Sequence, residues 1–292
     1  METRKITTES IEGFASFLRQ KERSDGTIEK YLHDVKIFCS WLDGREVTQE
    51  LAAEWKQSLL ESGRQPVTVN SMIAAINAYF RFAGWNELRL KSLRLQKRFF
   101  RETERELTED EYRRLVRTAR KMGKERIALL METICATGIR VSELRHITAE
   151  AVRCGRAQIS MKGKHRTILI PDKLCKKLRI YMRKLGIKAG EIFLSKNGSP
   201  LSRKQIWADM KALCRHAGVL GRKVFPHNLR HLFARSFYSL CRDIVCLADV
   251  MGHSSIETTR IYLISTEAEY VKKIARLQLN VIKLSDIGPG VS

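Results

Sequence analysis

Four features are missing or scarce in this 292-residue chain. No apolar run approaches the ~20 residues that a membrane-spanning helix needs. The start, Met1-Glu2-Thr3-Arg4-Lys5, leads into mixed polar sequence without an apolar signal region. These absences argue against a membrane protein or a secreted one, and the expectation is a soluble cytoplasmic protein. The seven cysteines (39, 135, 154, 175, 214, 241 and 246) form no Cys-x-x-Cys pair. Their odd number fits poorly with a disulfide scaffold, so buried free thiols are expected. Acids are scarce between residues 151 and 230, where Asp172, Glu191 and Asp209 face 20 Lys and Arg.

What is present follows from that last imbalance. The chain carries 54 Lys and Arg against 32 Asp and Glu, a formal net charge of +22. Residues 1–90 sum to −1, residues 91–100 to +4, and the remainder to +19, of which +17 lies within 151–230. A field this lopsided points to a polyanionic partner, nucleic acid first and an anionic membrane surface a distant second. The length and an apolar fraction of 43% allow two domains with cores of their own.

The first ninety residues read as four helices. One begins near Ser10. The second carries Ile28, Leu32, Val35, Cys39 and Leu42 at helical spacing, with Thr27 as its expected cap and Gly44 at its end. Leu51, Trp55, Leu59 and Leu60 mark the third, and Val69, Ile73, Ile76, Tyr79 and Phe80 the fourth, closed by Gly84. A basic stretch without apolar period follows, so the organisation expected is a helical domain over 1–86, an exposed linker over 87–106 and a second domain over 107–292. Thr108-Glu-Asp-Glu111 is a capping box that opens the second domain. Helices through Ile127–Cys135 and Val141–Ile147 flank a turn at Thr137-Gly138. Ala157–Met161 and Thr167–Ile170 favour strands, and Lys162-Gly-Lys-His-Arg166 between them reads as a basic hairpin tip. Helical patterns then run to about residue 284. The fold class expected is mainly α with a small β-hairpin.

Four segments place a cation, a histidine or a hydroxyl beside a turn or helix end. In Ala136-Thr-Gly-Ile-Arg140-Val-Ser-Glu143-Leu144 the glycine turn presents Arg140, and Glu143 is placed to pair backwards with it. A guanidinium so held suits a phosphate, which it meets with two parallel bonds. The hairpin tip offers Lys162 and Lys164. In Pro226-His227-Asn-Leu-Arg230-His231 the proline starts a helix, so that His227 and Arg230 share one face and His231 points elsewhere. Arg230 would repel a cation, and no acidic or cysteine ligand lies at helical spacing, so no metal site is expected. In Val250-Met-Gly252-His253-Ser254-Ser-Ile-Glu257-Thr-Thr-Arg-Ile-Tyr262, Asp243 caps a helix that Gly252 ends, and Ser254 with Glu257 makes a second capping box.

In this order and at these separations, the four segments resemble the tyrosine recombinase (phage integrase) family, in its simple two-domain Xer-like form. The resemblance covers residues from about 105 to 283, and the helical first domain is similar to the family's SAM-like core-DNA-binding module. Met251 departs from the usual leucine, a volume-conserving change. The resemblance implies catalytic roles for Arg140, Lys162, His227, Arg230, His253 and Tyr262, with Lys164 as the alternative to Lys162. It further implies DNA contacts from Lys164 and Arg166, and a nucleoid-associated enzyme that needs no cofactor. Tyr262 would attack a phosphate of double-stranded DNA and form a 3′-phosphotyrosine bond that a second strand's hydroxyl reverses. A type IB topoisomerase, or a DNA-binding protein with an inert site, are the alternatives. The stripe Val271, Ile274, Leu277, Val281 and Leu284 either packs on its own domain or, as the resemblance implies, docks a C-terminal helix on a neighbour in a tetramer on DNA.

Overall fold

The computed structural model describes residues 4–95, 105–161, 164–195, 197–263, 271 and 274–276, with backbone alone at 160, 161, 164 and 165. The chain divides into two compact units, Met1–Lys97 and Arg98–Ser292.

The first unit is built from α1 (Thr8–Gln20), α2 (Asp25–Leu42), α3 (Gln49–Glu61) and α4 (Pro66–Phe82). Local chemistry starts three of these helices. Thr7 and Ser10 form a reciprocal capping box, Thr48 accepts from the Leu51 amide, and Pro66 occupies the first turn of α4, where its missing N–H costs nothing. The second helix begins a turn earlier than expected. Ser24 precedes it, and Thr27 lies inside it with its hydroxyl 2.8 Å from that of Ser24. Phe14, Phe38, Trp55 and Phe80 fill the core, with Phe38 and Trp55 ring centroids 4.8 Å apart.

The stretch after α4 departs from the exposed linker expected from residue 87. Leu88 and Leu90 are buried in this core. Asn77 donates through Nδ2 to the Leu90 carbonyl and accepts from the Leu90 amide, both at 2.8 Å. Asn70 treats Leu93 in the same way, at 2.9 and 2.7 Å. Seven helical residues rise about 10.5 Å, and three extended residues span about 10 Å, so the two amides meet backbone groups three residues apart. No apolar period marks a segment held by side-chain amides, which is why its sequence reads as a linker.

In the second unit α5 (Glu109–Lys121) starts at the expected box, with Thr108 Oγ1 accepting from Glu111 N and Glu111 Oε2 accepting from Thr108 N. Next comes α6 (Glu125–Thr137), whose Ile127, Leu129, Leu130, Met131 and Ile134 are buried around its circumference, as befits a central helix. The expected helix after Gly138 is a 3-10 turn, Val141–His146. Then follow α7 (Ala149–Cys154), β1 (Arg156–Met161) and β2 (Lys164–Leu169), paired antiparallel from Arg156↔Leu169 to Met161↔Lys164. The second strand therefore starts three residues earlier than expected and takes in Lys164, His165 and Arg166. The chain continues through α8 (Asp172–Leu185), α9 (Arg203–Lys211), α10 (Cys214–Ala217), α11 (Pro226–Cys241), α12 (Ile244–Met251) and α13 (Ile256–Arg260), ending in a 3-10 turn, Ile261–Leu263. Ser255 rather than Ser254 precedes α13, and no side-chain cap bond forms there. Leu277, Val281 and Leu284 of the expected C-terminal helix lie outside the described residues. All seven cysteines are free thiols, but only Cys175 and Cys214 are buried, and Cys154 and Cys241 are exposed. Among the described residues no helix is long and apolar enough to cross a membrane, and no cluster of three or more His, Cys, Asp or Glu could hold a metal ion.

Candidate active site

Three helix ends converge in the second unit: the C-terminus of α6, the N-terminal half of α11 and the C-terminus of α12. Gly138 ends α6 with φ +63°, and a Cβ there would stand 2.3 Å from Cδ1 of Phe233 on α11. Glycine is thus what lets the two helices close. Asn228 pins the start of α11 by donating through Nδ2 to the Arg105 and Lys223 carbonyls, each at 2.7 Å. Asp243 caps α12 as expected, accepting from the Val245 and Cys246 amides.

The last carbonyls of a helix lack partners within it and carry partial negative charge. Three arginines occupy those of α12. Arg166 Nη1 donates to Val250 O at 3.4 Å, Arg230 Nη2 to Met251 O at 2.8 Å, and Arg140 Nη2 to Gly252 O at 3.4 Å. Glu143, itself buried, supplies the full negative charge. Its Oε2 accepts from the Arg140 amide at 2.7 Å and from Arg166 Nη2 at 2.5 Å, and its Oε1 accepts from Arg140 Nη1 at 3.0 Å. Helix end and carboxylate together offset the repulsion among three clustered cations.

Arg230 is 1% exposed and also donates to the Gly138 carbonyl. Among the described residues its Nε has no partner. An unmet buried donor costs about 1–3 kcal/mol, and an incoming anion would satisfy it. Burial, and then the charge of Arg140, push the Arg230 guanidinium down to about 10, so it stays cationic at neutral pH. Its Nη2 lies 2.7 Å from His253 Nε2. Arginine only donates, so Nε2 accepts and the His253 proton sits on Nδ1, 2.9 Å from Thr259 Oγ1. Burial and the charges of Arg230, Arg140 and Arg166 push His253 down to about 4, which agrees with a neutral ring.

Tyr262 lies in the turn after α13, 5% exposed, in a small core with Ala234, Leu247 and Met251. Its hydroxyl stands 3.5 Å from His227 Nε2, the long limit of a hydrogen bond. Burial, followed by Arg230 and Arg140, lowers the pKa of His227. His231, expected to point away, instead packs on the same phenol. Its ring centroid is 4.2 Å from that of Tyr262, against 5.7 Å for His227 and 5.5 Å for His253. Three imidazoles therefore surround one tyrosine ring.

The structure thus brings together Arg140, His227, Arg230, His253 and Tyr262 from segments up to 122 residues apart. Lys162 lies outside the described residues, and Lys164 is placed only by its backbone pairing with Met161. Arg166 is turned inward, with its side chain 14% exposed. The cause is strand alternation. Arg166 pairs across the hairpin with buried Ile159 and shares a face with buried Ile168, while Leu169 on the other face is 73% exposed. The pattern Arg166-x-Ile168-x-Ile170 carries that signal once the strand is known to begin at Lys164. Nothing in the sequence singles out Thr259.

The chain matches the Phage integrase family over residues 105–269 and the phage integrase N-terminal SAM-like domain over residues 11–87. Tyrosine recombinase XerA of Pyrococcus furiosus is 30% identical over 288 residues, covering 96% of this chain and 97% of that protein. The chain belongs to the phage integrase family. It is a tyrosine recombinase, an enzyme of DNA cleavage and rejoining. The fold agrees. A lambda integrase dimer bound to a COC′ core site superposes with a TM-score of 0.70 at 19% identity, covering 87% of this chain and 76% of that one. A lambda integrase tetramer bound to a Holliday junction gives 0.66 at 19% identity, over the same shares.

Proposed function

We propose that this recombinase cuts and rejoins double-stranded DNA through Tyr262, with Arg140 and Arg230 as the phosphate clamp. The observation that carries the assignment is a buried tyrosine hydroxyl beside His227, next to a buried arginine whose Nε is unpartnered. In the cleavage step the Tyr262 oxygen forms a bond to phosphorus and the bond from phosphorus to the 5′ oxygen breaks. His227, held neutral by burial and by two neighbouring arginines, takes the phenolic proton. Lys162 donates a proton to the departing 5′ oxygen, with Lys164 as the alternative. The two guanidiniums neutralise charge on the non-bridging oxygens as it builds up in the transition state, the part a metal ion plays in many nucleases. His253 holds Arg230 in position through Nε2 in the arrangement seen here, so that Arg230 can present its remaining donors. A 5′ hydroxyl from a second strand reverses the sequence, and the bond energy is kept in the phosphotyrosine, so no nucleotide cofactor is required.

The bulk charge has a separate role. The excess of +17 over residues 151–230 gives sequence-independent, salt-sensitive affinity for the DNA backbone. Assembly of four copies on two duplexes through the C-terminal segment, in a nucleoid-associated enzyme, completes the reading. It is supported by Val271 and Ile274, which are 59% and 63% exposed, and by the tetrameric lambda integrase with which the fold superposes.

A nicked duplex that traps the covalent intermediate, incubated in EDTA, tests the chemistry. Wild type should form a protein–DNA adduct and Tyr262→Phe none. An adduct with Tyr262→Phe moves the nucleophile elsewhere. Alanine at Lys162 and at Lys164 separately assigns the acid, which is the residue whose loss is largely repaired by a 5′-thio leaving group. Exchange between two duplexes, against relaxation of a plasmid alone, separates recombination from topoisomerase action.

A further inference from the structure

Arg166 lies on the buried face of the hairpin, opposite Ile159, and its guanidinium bonds both to Glu143 and to the last turn of α12. Its Nη2 binds the Glu143 oxygen that also accepts from the Arg140 amide, and Glu143 grips the Arg140 guanidinium with its other oxygen. Its Nη1 binds Val250 O, three residues before His253 and in the last turn of α12. Gly252 makes room for it. A Cβ at residue 252 would lie 2.4 Å from both Cδ and Nη1 of Arg166. The glycine before His253 thus serves the arginine as well as the left-handed helix end, where φ is +63°.

We propose that Arg166 is a positioning residue of the recombination site, fixing Arg140 through Glu143 and the His253 turn through Val250, and that it makes no contact with DNA. Lysine cannot replace it, because one ammonium cannot hold the Glu143 carboxylate and the Val250 carbonyl in the planar fork that arginine supplies. The proposal rests on the assignment of Arg140 to the phosphate. Supporting groups of this kind are worth about tenfold to a hundredfold when lost.

Two measurements on the full chain separate positioning from DNA contact. One is the single-turnover rate of adduct formation on the nicked duplex, and the other is the slope of log affinity against log salt on the same duplex. Arg166→Lys should cleave at least ~10-fold more slowly, with affinity and salt slope unchanged and with a melting temperature close to that of wild type. Arg166→Ala should cleave more slowly still. In an Arg140→Ala background, Arg166→Ala should cost less than in wild type, whereas a general loss of stability would cost the same in both. A salt slope lowered by about 0.9, the value of one phosphate contact, with cleavage retained, overturns the proposal. So does Arg166→Lys cleavage within twofold of wild type. If Arg140→Ala itself cleaves at the wild-type rate, the phosphate assignment fails first, and that outcome is read without any Arg166 variant.

Discussion

Replacement of Gly138 by alanine tests whether the closure of α6 onto α11 is what builds the site. The new Cβ would sit 2.3 and 2.4 Å from Cδ1 and Cε1 of Phe233, at a residue with φ +63°. The left-handed backbone costs a β-carbon about 1 kcal/mol, and forcing a ring out of a packed contact costs about 1–3 kcal/mol. The sum, about 2–4 kcal/mol, corresponds to a fall in melting temperature of about 4–15 °C for a unit of this size. Cleavage should fall further than stability. Phe233 sits three residues after Arg230 on α11, and the Gly138 carbonyl is itself an acceptor for Arg230, so a shift of about 1 Å reaches the clamp and costs about 100-fold. The assay pairs thermal melting with single-turnover cleavage for Gly138→Ala, Phe233→Ala and the double variant. Removing the ring should relieve the clash, leaving the double variant ~1–3 kcal/mol more stable than the two single effects predict together. Additive effects, or a Gly138→Ala variant that melts within 2 °C of wild type, would refute the reasoning.

Other consequences are open to simple measurements. Between about 4, the value to which His253 is pushed, and the ordinary imidazole value near ~6.5, the unfolded chain binds protons that the folded chain refuses. The stability linked to His253 is therefore complete above about 6.5 and drains away as the pH falls towards 4. His227 adds to the same trend, since it too is lowered. Melting temperature against pH should fall less steeply over this window in His253→Gln, and parallel curves would reject the link. Thr259→Val keeps the shape of a fully buried side chain but leaves the His253 Nδ1–H without its acceptor. Cleavage should drop about tenfold, with Thr259→Ser close to wild type, and equal rates for all three would exclude a role for that bond. Asn77→Ala removes two backbone contacts of about 1 kcal/mol each, so trypsin should cut after Arg89 and Lys91 roughly 30-fold faster. An unchanged cutting rate would mean that the segment is held by other means.

Much of the site was legible because its residues sit beside strong local punctuation. Gly138 ends a helix just before Arg140, Pro226 begins one just before His227, and Gly252 ends one just before His253, so their exposure to a shared space follows from helix-end chemistry. The Thr108 box and the four amphipathic patterns of the first unit were readable for the same reason. What escaped was decided by register and by partners distant in sequence. Starting β2 at Thr167 instead of Lys164 left Arg166 at a solvent-facing tip, whereas the strand places it on the buried face opposite Ile159. His231 and Thr259 have no signature of their own. One packs on a tyrosine 31 residues away, and the other matters only because of the hydrogen-bond pattern of His253.

The paired asparagines of α4 set a rule for where this chain tolerates added length. Asn70 and Asn77 hold Leu93 and Leu90 in a fixed spacing, two helical turns against three extended residues. An extra residue inserted between 90 and 93 slips one amide out of step, while the same residue inserted after 93 leaves both engaged. Fusion points, tags and length variants that aim to change the connection between the two units therefore belong beyond Leu93, not at the end of α4 where the helical pattern stops.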